Sequence, residues 1–514
     1  METVALSSRA GKWVMLSCIL ASSMAFIDGT ALNVVLPSLQ KGLNAAGTDL
    51  FWILNAYLLM LAALILVGGA LGDQLGRKKI FMLGILVFIA GSTVCGFAPD
   101  VNWLIIFRVL QGAGGALMIP GSLSLISSSI QPSERGKAIG TWSAFTTIVT
   151  VGGPILGGAL GDAGLWRYIF FINVPIGIIA LIILARHVQE SRDEDSSRRI
   201  DYPGAATIVL GLALLTFGCL RIPALGYQSS QVIGSIIAGV VLLILFVLIQ
   251  SKSAHPMMPL KLFANSTFSG ANLLTFFLYA GLGAGMLFMS LYMVQVQGYS
   301  QKQSGLTFIP FTALMISLAR YTGTLAGKYG PRLFLIFGPA IAGTGLLILS
   351  FIKQTHGPVD YWTTFLPGVL VLGLGMSLTV APLTAAVMGS VSDHFSGTAS
   401  GVNNAVSRIA GVFANAIFGT LAVLLFTSAL QKNIDNVPLN AQQKHTVMAQ
   451  SAELGNAHVP KNIEAANKPV IVTAYHESFI SMYSIIMKIA AALGFSGALM
   501  ALVFIKPVSL KKPV

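Results

Sequence analysis

Gly69-Ala70-Leu71-Gly72-Asp73-Gln74-Leu75-Gly76-Arg77-Lys78-Lys79 lies between two long apolar runs. It is too short and too polar to cross a membrane, whereas the segments on both sides are built to do so. These residues must therefore turn the chain on one membrane face. Gly69, Gly72 and Gly76 permit a tight turn and close helix approach. Arg77, Lys78 and Lys79 mark the cytoplasmic side by the positive-inside rule.

Composition agrees with that reading. Of 514 residues, 55% are apolar and 10% charged, where a soluble domain carries about 25% charged residues. The chain is a polytopic membrane protein, and its many glycines suit close helix packing in lipid. The net charge of +13 comes largely from bases in short loops, so it reports topology and not a nucleic-acid partner. Cys18, Cys95 and Cys219 lie within apolar spans and imply neither a disulfide framework nor a metal site. The seven histidines are scattered without ligand spacing. The first apolar run, 13–37, is too long for a signal-peptide core and reads as a retained helix.

About twenty apolar residues cross a bilayer. That ruler predicts fourteen spans: 13–37, 51–71, 79–98, 103–128, 137–161, 167–186, 203–220, 232–250, 268–294, 304–322, 333–352, 362–388, 397–427 and 477–505. An even count puts both ends on one side. Arg9 and Lys12 before the first span, Lys506, Lys511 and Lys512 after the last, and basic even-numbered connections make that side cytoplasmic.

The expected division is an amino-terminal six-helix bundle over 1–186, a charged cytoplasmic linker over 187–202 and two inserted helices over 203–250. The first five helices of a second bundle follow over 251–427, then a polar external loop over 428–476, then the last helix and tail over 477–514.

An internal repeat supports the division. Gly69, Leu71, Gly76 and Lys78 match Gly323, Leu325, Gly330 and Arg332 at an offset of 254. Gly112, Gly114, Leu117, Gly136 and Gly140 match Gly373, Gly375, Leu378, Gly397 and Gly401 at 261. Each step covers eight spans, as a six-helix repeat with two helices inserted between its copies requires. Repeats in parallel register turn about an axis along the membrane normal.

Five ordered blocks then carry a family resemblance. Ile27-Asp28-Gly29-Thr30-Ala31-Leu32-Asn33-Val34-Val35-Leu36-Pro37 resembles the first-helix signature of the fourteen-helix drug:proton antiporter branch of the major facilitator superfamily. The opening loop resembles that superfamily's motif A, and Arg108-Val109-Leu110-Gln111-Gly112-Ala113-Gly114 its motif B. Gly152-Gly153-Pro154-Ile155-Leu156-Gly157-Gly158 resembles motif C, the antiporter signature, and Trp166 through Pro175 the usual start of helix six. The implied fold is all-α, two six-helix bundles plus two inserted helices. The implied activity is multidrug-type, proton-coupled export with no catalytic residues, powered by a proton gradient and needing no cofactor or metal.

Asp28 is the carboxylate placed deep in a span. A charge at the bilayer centre costs about 2.5–3.5 kcal/mol on insertion scales, and burial in general disfavours a carboxylate's ionised form. The resemblance implies that Asp28 is the coupling site; a packing carboxyl bonded to Thr30 or Asn33 is the alternative. It likewise implies that Arg108 tunes a nearby acid, against a side chain snorkelling to the membrane edge. It casts Gly69, Asp73, Gly76, Arg77 and Glu134 as a conformational latch. In that latch Asp73 would cap the helix near Gly397, and Arg77 would pair with an acid such as Glu134. Gly152, Gly153, Pro154, Gly157 and Gly158 form a small-residue packing face bent by proline.

Candidates for an amphipathic cavity are Phe26, Asn33, Asn55, Tyr57, Asn272 and Tyr279, with Arg320, Arg408 and Lys488 as cations able to meet an anionic or zwitterionic group. Gly323 through Tyr329 lacks the spacing and the hydroxyl of a phosphate loop, so an ion gradient is the expected power source. The expectation is a monomeric exporter of amphiphilic molecules in the bacterial plasma membrane. A lipid or anionic-amphiphile transporter of the same fold, or a non-transporting receptor or scaffold, are the alternatives.

Overall fold

The computed structural model describes residues 3–131, 134–191, 201–254, 256, 258–391, 396–435 and 437–506. It is a helical bundle. The helices that set the architecture are α1 (Arg9–Leu43), α2 (Gly47–Leu75), α3 (Arg77–Gly96), α4 (Val101–Ser129), α5 (Arg135–Asp162), α6 (Tyr168–His187, two pieces meeting at Ile172) and α7 (Tyr202–Leu225). They continue with α8 (Ser230–Lys252), α9 (Ser266–Gln295), α10 (Ile309–Tyr329), α11 (Arg332–Leu349), α12 (Phe365–Gly389), α13 (Ser396–Ile434) and α14 (Lys468–Phe504).

Among the described residues, twelve helices are long and apolar enough to cross a membrane. In α5 the apolar stretch among the described residues is Ile148–Asp162, and α10 is not among the twelve. Length and apolarity of the described residues thus support about twelve spans, where the sequence ruler gave fourteen.

Capping explains where the helices start. The Ser8 hydroxyl accepts the Gly11 N–H at 3.0 Å, Asp100 Oδ1 accepts those of Asn102 and Trp103, and Asn265 Oδ1 those of Thr267 and Phe268. These caps lie outside the apolar windows, so α1 begins four residues earlier than its apolar run. α14 likewise begins at Lys468, where its apolar run starts at 477.

The same helix pairs pack in each half. α2 with α4, α3 with α4, α1 with α5, α1 with α6 and α3 with α6 recur as α10 with α12, α11 with α12, α9 with α13, α9 with α14 and α11 with α14. Every pair is shifted by eight helices, as the glycine offsets require. α7 and α8 pack on each other, and α7 lies against α2 and α13. A separate apolar cluster of Leu59, Ala62, Ala63, Ile208, Leu212, Phe246 and Val412 fills that junction.

Chain reversals alternate between two ends of the bundle. The start of α1 and the end of α14 lie at one, the terminal end; Ser266 Oγ donates to Phe504 O there at 2.7 Å. At the other, the distal end, residues 435–467 form a helix, Ala441–Met448, and a 3-10 turn, Ala449–Asn456.

Candidate functional site

Asp28 sits midway along α1 and is 0% exposed. Its Oδ2 accepts from Arg108 Nη1 at 2.5 Å and its Oδ1 from Gln111 Nε2 at 2.8 Å. Arg108, 1% exposed, also donates from Nη1 to Gln111 Oε1 and from Nε to the Ile53 carbonyl, while its guanidinium lies 4.3 Å from the Tyr57 ring centroid. Gln111 Nε2 reaches Ser92 Oγ at 3.3 Å, Asn173 Nδ2 donates to that hydroxyl, and the hydroxyl donates to Phe170 O. Four helices of one half, α1, α3, α4 and α6, thus converge on one carboxylate.

A buried pair of this kind is held by geometry and extra hydrogen bonds; removing one partner costs about 3–5 kcal/mol. Arg108 does not snorkel. Thr30 and Asn33 do not hold Asp28 either: Thr30 Oγ1 donates to Phe26 O and Asn33 Nδ2 to Gly29 O, within their own helix. Gln111, Ser92 and Asn173 were not singled out from sequence. Their signal was polarity inside apolar runs, and Gln111 and Asn173 fall within the quoted blocks.

The cavity candidates divide. Asn55 is buried with neither amide atom partnered among the described residues, and the buried Tyr57 hydroxyl also lacks a partner there. Asn272 Oδ1 accepts from Asn403 Nδ2 at 3.1 Å, and the same amide donates to Thr275 Oγ1 at 2.7 Å, joining α9 to α13. Arg408 is half-buried on α13, within electrostatic reach of Tyr57 and Tyr279. Phe26 is half-buried. The side chain of Arg320 lies outside the described residues.

Lys488 is corrected. It is exposed, in register with Ile485, Phe495, Leu499 and Leu502, the outward apolar stripe of α14, and its ammonium lies 5.5 Å from the Phe351 ring centroid. Its stem runs along apolar surface toward an aromatic partner, the behaviour of a snorkelling lysine and not of a cavity cation.

At the loop between α2 and α3, Gly76 has φ +117°, and a side chain there would strike the Glu190 carboxylate. Glu190 accepts the backbone N–H groups of Lys78 at 2.9 Å and Lys79 at 3.0 Å, the open N-terminus of α3. In return Lys78 Nζ donates to Val188 O at 2.7 Å, just past the end of α6. Arg77 N–H donates to Ser191 O, and Glu134 Oε2 accepts the Leu6 N–H at 2.6 Å. Glu190, read from sequence as part of a solvated linker, is thus a helix cap. Gly69 borders Pro120 of α4, and the Asp73 side chain lies outside the described residues.

The glycines of α5 work on two neighbours. A methyl on Gly153 or Gly157 would collide with Thr30 or Ala31 of α1; one on Gly158 would collide with Gln301 and Lys302 of the other half. Pro154 O lies where Gly305 has no side chain, and Gly152 borders open space. Next to them, Asp162 accepts the N–H groups of Gln301 and Lys302 at 2.7 and 2.9 Å, and the Gln301 amide meets the Ser38 hydroxyl at 2.5 Å. Gln40 Oε1 accepts from Asn456 at 2.7 Å and from Gln295 at 3.4 Å. Among pairs of described residues, the hydrogen bonds between the halves all lie at this distal end.

Two repeated helical halves meeting at a seam, with a charged pair locked inside one of them, are the build of a membrane transporter and not of an enzyme. The chain belongs to the Major Facilitator Superfamily, whose family model matches residues 18–415. It is similar to the tetracenomycin C resistance and export protein of Streptomyces glaucescens, 28% identical over 98% of this chain and 93% of that protein. It is also 30% identical to the multidrug transporter protein MdtP of Bacillus subtilis, over 82% of this chain and 78% of that one. In fold it is similar to the crystal structure of a bacterial homolog of the human lysosomal transporter Spinster, at 20% identity and a TM-score of 0.67, covering 98% of this chain and all of that one.

Proposed function

We propose that this protein is a proton-coupled antiporter that exports amphiphilic small molecules from a bacterial cell by alternating access of its two halves. It works as a monomer with fourteen spans and both termini cytoplasmic, and it draws on the proton gradient without a cofactor. The observation that carries the reading is the buried Asp28–Arg108–Gln111 cluster. The names of the relatives, resistance and export proteins, support the cargo class, and the bases at the terminal end support the orientation.

In this scheme Asp28 exchanges its bond to Arg108 for a proton. The neutral acid then no longer holds the guanidinium, which remains against Tyr57 at the seam, and the contacts favouring one packing of α1, α2 and α4 weaken. The distal contacts of α5 with Gln301 and Lys302 close the outer side in the present conformation, and their parting would open it. Moving one charge through 100 mV supplies about 2.3 kcal/mol, enough for a concentration ratio of tenfold or more.

The test is the purified chain in proteoliposomes carrying a proton gradient, with cationic, neutral and anionic amphiphiles added in turn and lumenal pH followed by a fluorescent dye. Substrate-dependent proton movement is expected, and Asp28→Asn should abolish it while amphiphile binding persists. Intact proton movement in Asp28→Asn would exclude Asp28 as the coupling site.

A further inference from the structure

Among the described residues, Arg408 presents a charge without a counter-charge. It lies on α13 one, two and three turns before Gly411, Asn415 and Gly419, which share its face. That face packs on α2: Gly411 borders Leu58, and Gly419 borders Phe51. Nearby, Asn403 bonds to Asn272 and Thr275 of α9, and Phe413 packs edge-on to Phe276. Arg408 therefore stands where helices of the two halves meet, about a third of the way along α13. Its Nε is buried without a hydrogen-bond partner among the described residues.

Among the described residues, the elements packed around it place no acid beside it. α9 and α13 contain none, α2 has Asp49 at its distal N-terminus, engaged with the Ala46 N–H, and Asp73 near its far end. α14 has Glu477, exposed toward the distal end, and α7 has none. Asp28 of α1 has both oxygens committed to Arg108 and Gln111. Nearby on α2 the Asn55 amide and the Tyr57 hydroxyl, 0% and 2% exposed by residue, are unpartnered among the described residues as well. A guanidinium whose Nε is buried with no acid beside it is costly, and unpartnered buried groups on the neighbouring α2 repeat that cost. A cargo that brings its own anionic oxygens would remove it.

We propose that the seam of α2, α9 and α13 around Arg408 is an anion-recognition site that selects amphiphiles bearing a sulfonate, carboxylate or phenolate on an aromatic body. The guanidinium takes the anionic group as a charge-assisted hydrogen-bonding fork. Asn55 and the Tyr57 hydroxyl supply further donors, and Tyr279 and Phe276 flank the apolar body. This deepens the export reading and rests on it for the direction of transport, but not for binding. Tyr57 stacks on the Arg108 guanidinium and is within electrostatic reach of Arg408, so cargo at Arg408 and the proton site share a side chain.

A matched pair of fluorescent probes tests it: 8-anilinonaphthalene-1-sulfonate and its neutral counterpart N-phenyl-1-naphthylamine. Each is titrated onto the full chain in nanodiscs of zwitterionic phosphatidylcholine, with empty nanodiscs subtracted and no gradient applied. Saturable binding of the sulfonate is expected. Arg408→Gln should weaken it about ten- to a hundredfold, the range of a charge-assisted hydrogen bond, and Arg408→Lys should retain most of it. The neutral probe should bind equally well in all three proteins, which also reports that the variants are folded. Sulfonate binding unchanged in Arg408→Gln, or both probes weakened alike, would overturn the proposal. Because no gradient is present, that result leaves the antiport reading standing. Loss of coupling in Asp28→Asn leaves this one standing in turn.

Discussion

Gln111 holds the second oxygen of Asp28 and at the same time touches Arg108 and Ser92. Gln111→Leu keeps the ion pair but leaves one carboxylate oxygen buried without a donor, at a cost of about 1–3 kcal/mol. A lowered thermal midpoint of the purified protein is the expected outcome, and a midpoint equal to that of the parent would show the amide to be dispensable. Asp28 and Arg108 were legible in the sequence because a charge inside an apolar run has few reasons to be there. Their mutual pairing was not, since the two lie on different helices and nothing local fixes which faces meet. Lys488 shows the limit from the other side: depth can be read from a run of letters, but the face a residue takes depends on which neighbours cover it.

Helix ends follow a different chemistry from helix middles. The apolar ruler measures the part of each helix that crosses lipid, whereas Ser8, Asp100 and Asn265 set where the hydrogen-bonded ladder starts, often beyond the bilayer. That is why the helices were legible and their limits were not. The clasp between α3 and α6 was hidden for the same reason, because Glu190 sits in a charged stretch that reads as solvated. Glu190→Ala should cost about 1 kcal/mol of cap energy and speed amide hydrogen exchange in the first turn of α3, residues 77–80, with exchange in α4 unchanged. Equal exchange in parent and variant would show that the carboxylate does not hold the helix start. Substitution of Gly157 by alanine acts at the contact of α5 with α1. A methyl meeting the Ala31 carbonyl must push the helices apart, at about 1–3 kcal/mol of overpacking, seen as a lower thermal midpoint.

At the scale of the whole molecule the repeat was readable because glycines must recur wherever helices cross closely, and the recurring helix pairs bear out its register. The seam between the repeats was not readable, since Ser38, Gln301 and Asp162 are ordinary loop and helix-end residues until the halves are assembled. A Ser38→Cys, Gln301→Cys pair should form a disulfide under mild oxidant and stop transport in proteoliposomes, with recovery on reduction. Transport that continues with the bridge formed would show that the distal contacts need not part. The pair α7 and α8 stands outside both repeats, with α8 mostly exposed and α7 seated over Leu59, Ala62, Ala63 and Val412. Excising residues 201–252 would preserve the parity of crossings, so both bundles keep their sense of insertion. It would also strip the weather side from the α2–α13 junction and leave a lateral slot facing the acyl chains. The extra hairpin thus covers that flank, and its excision should register as new access of lipid to the α2–α13 junction before it registers as misfolding.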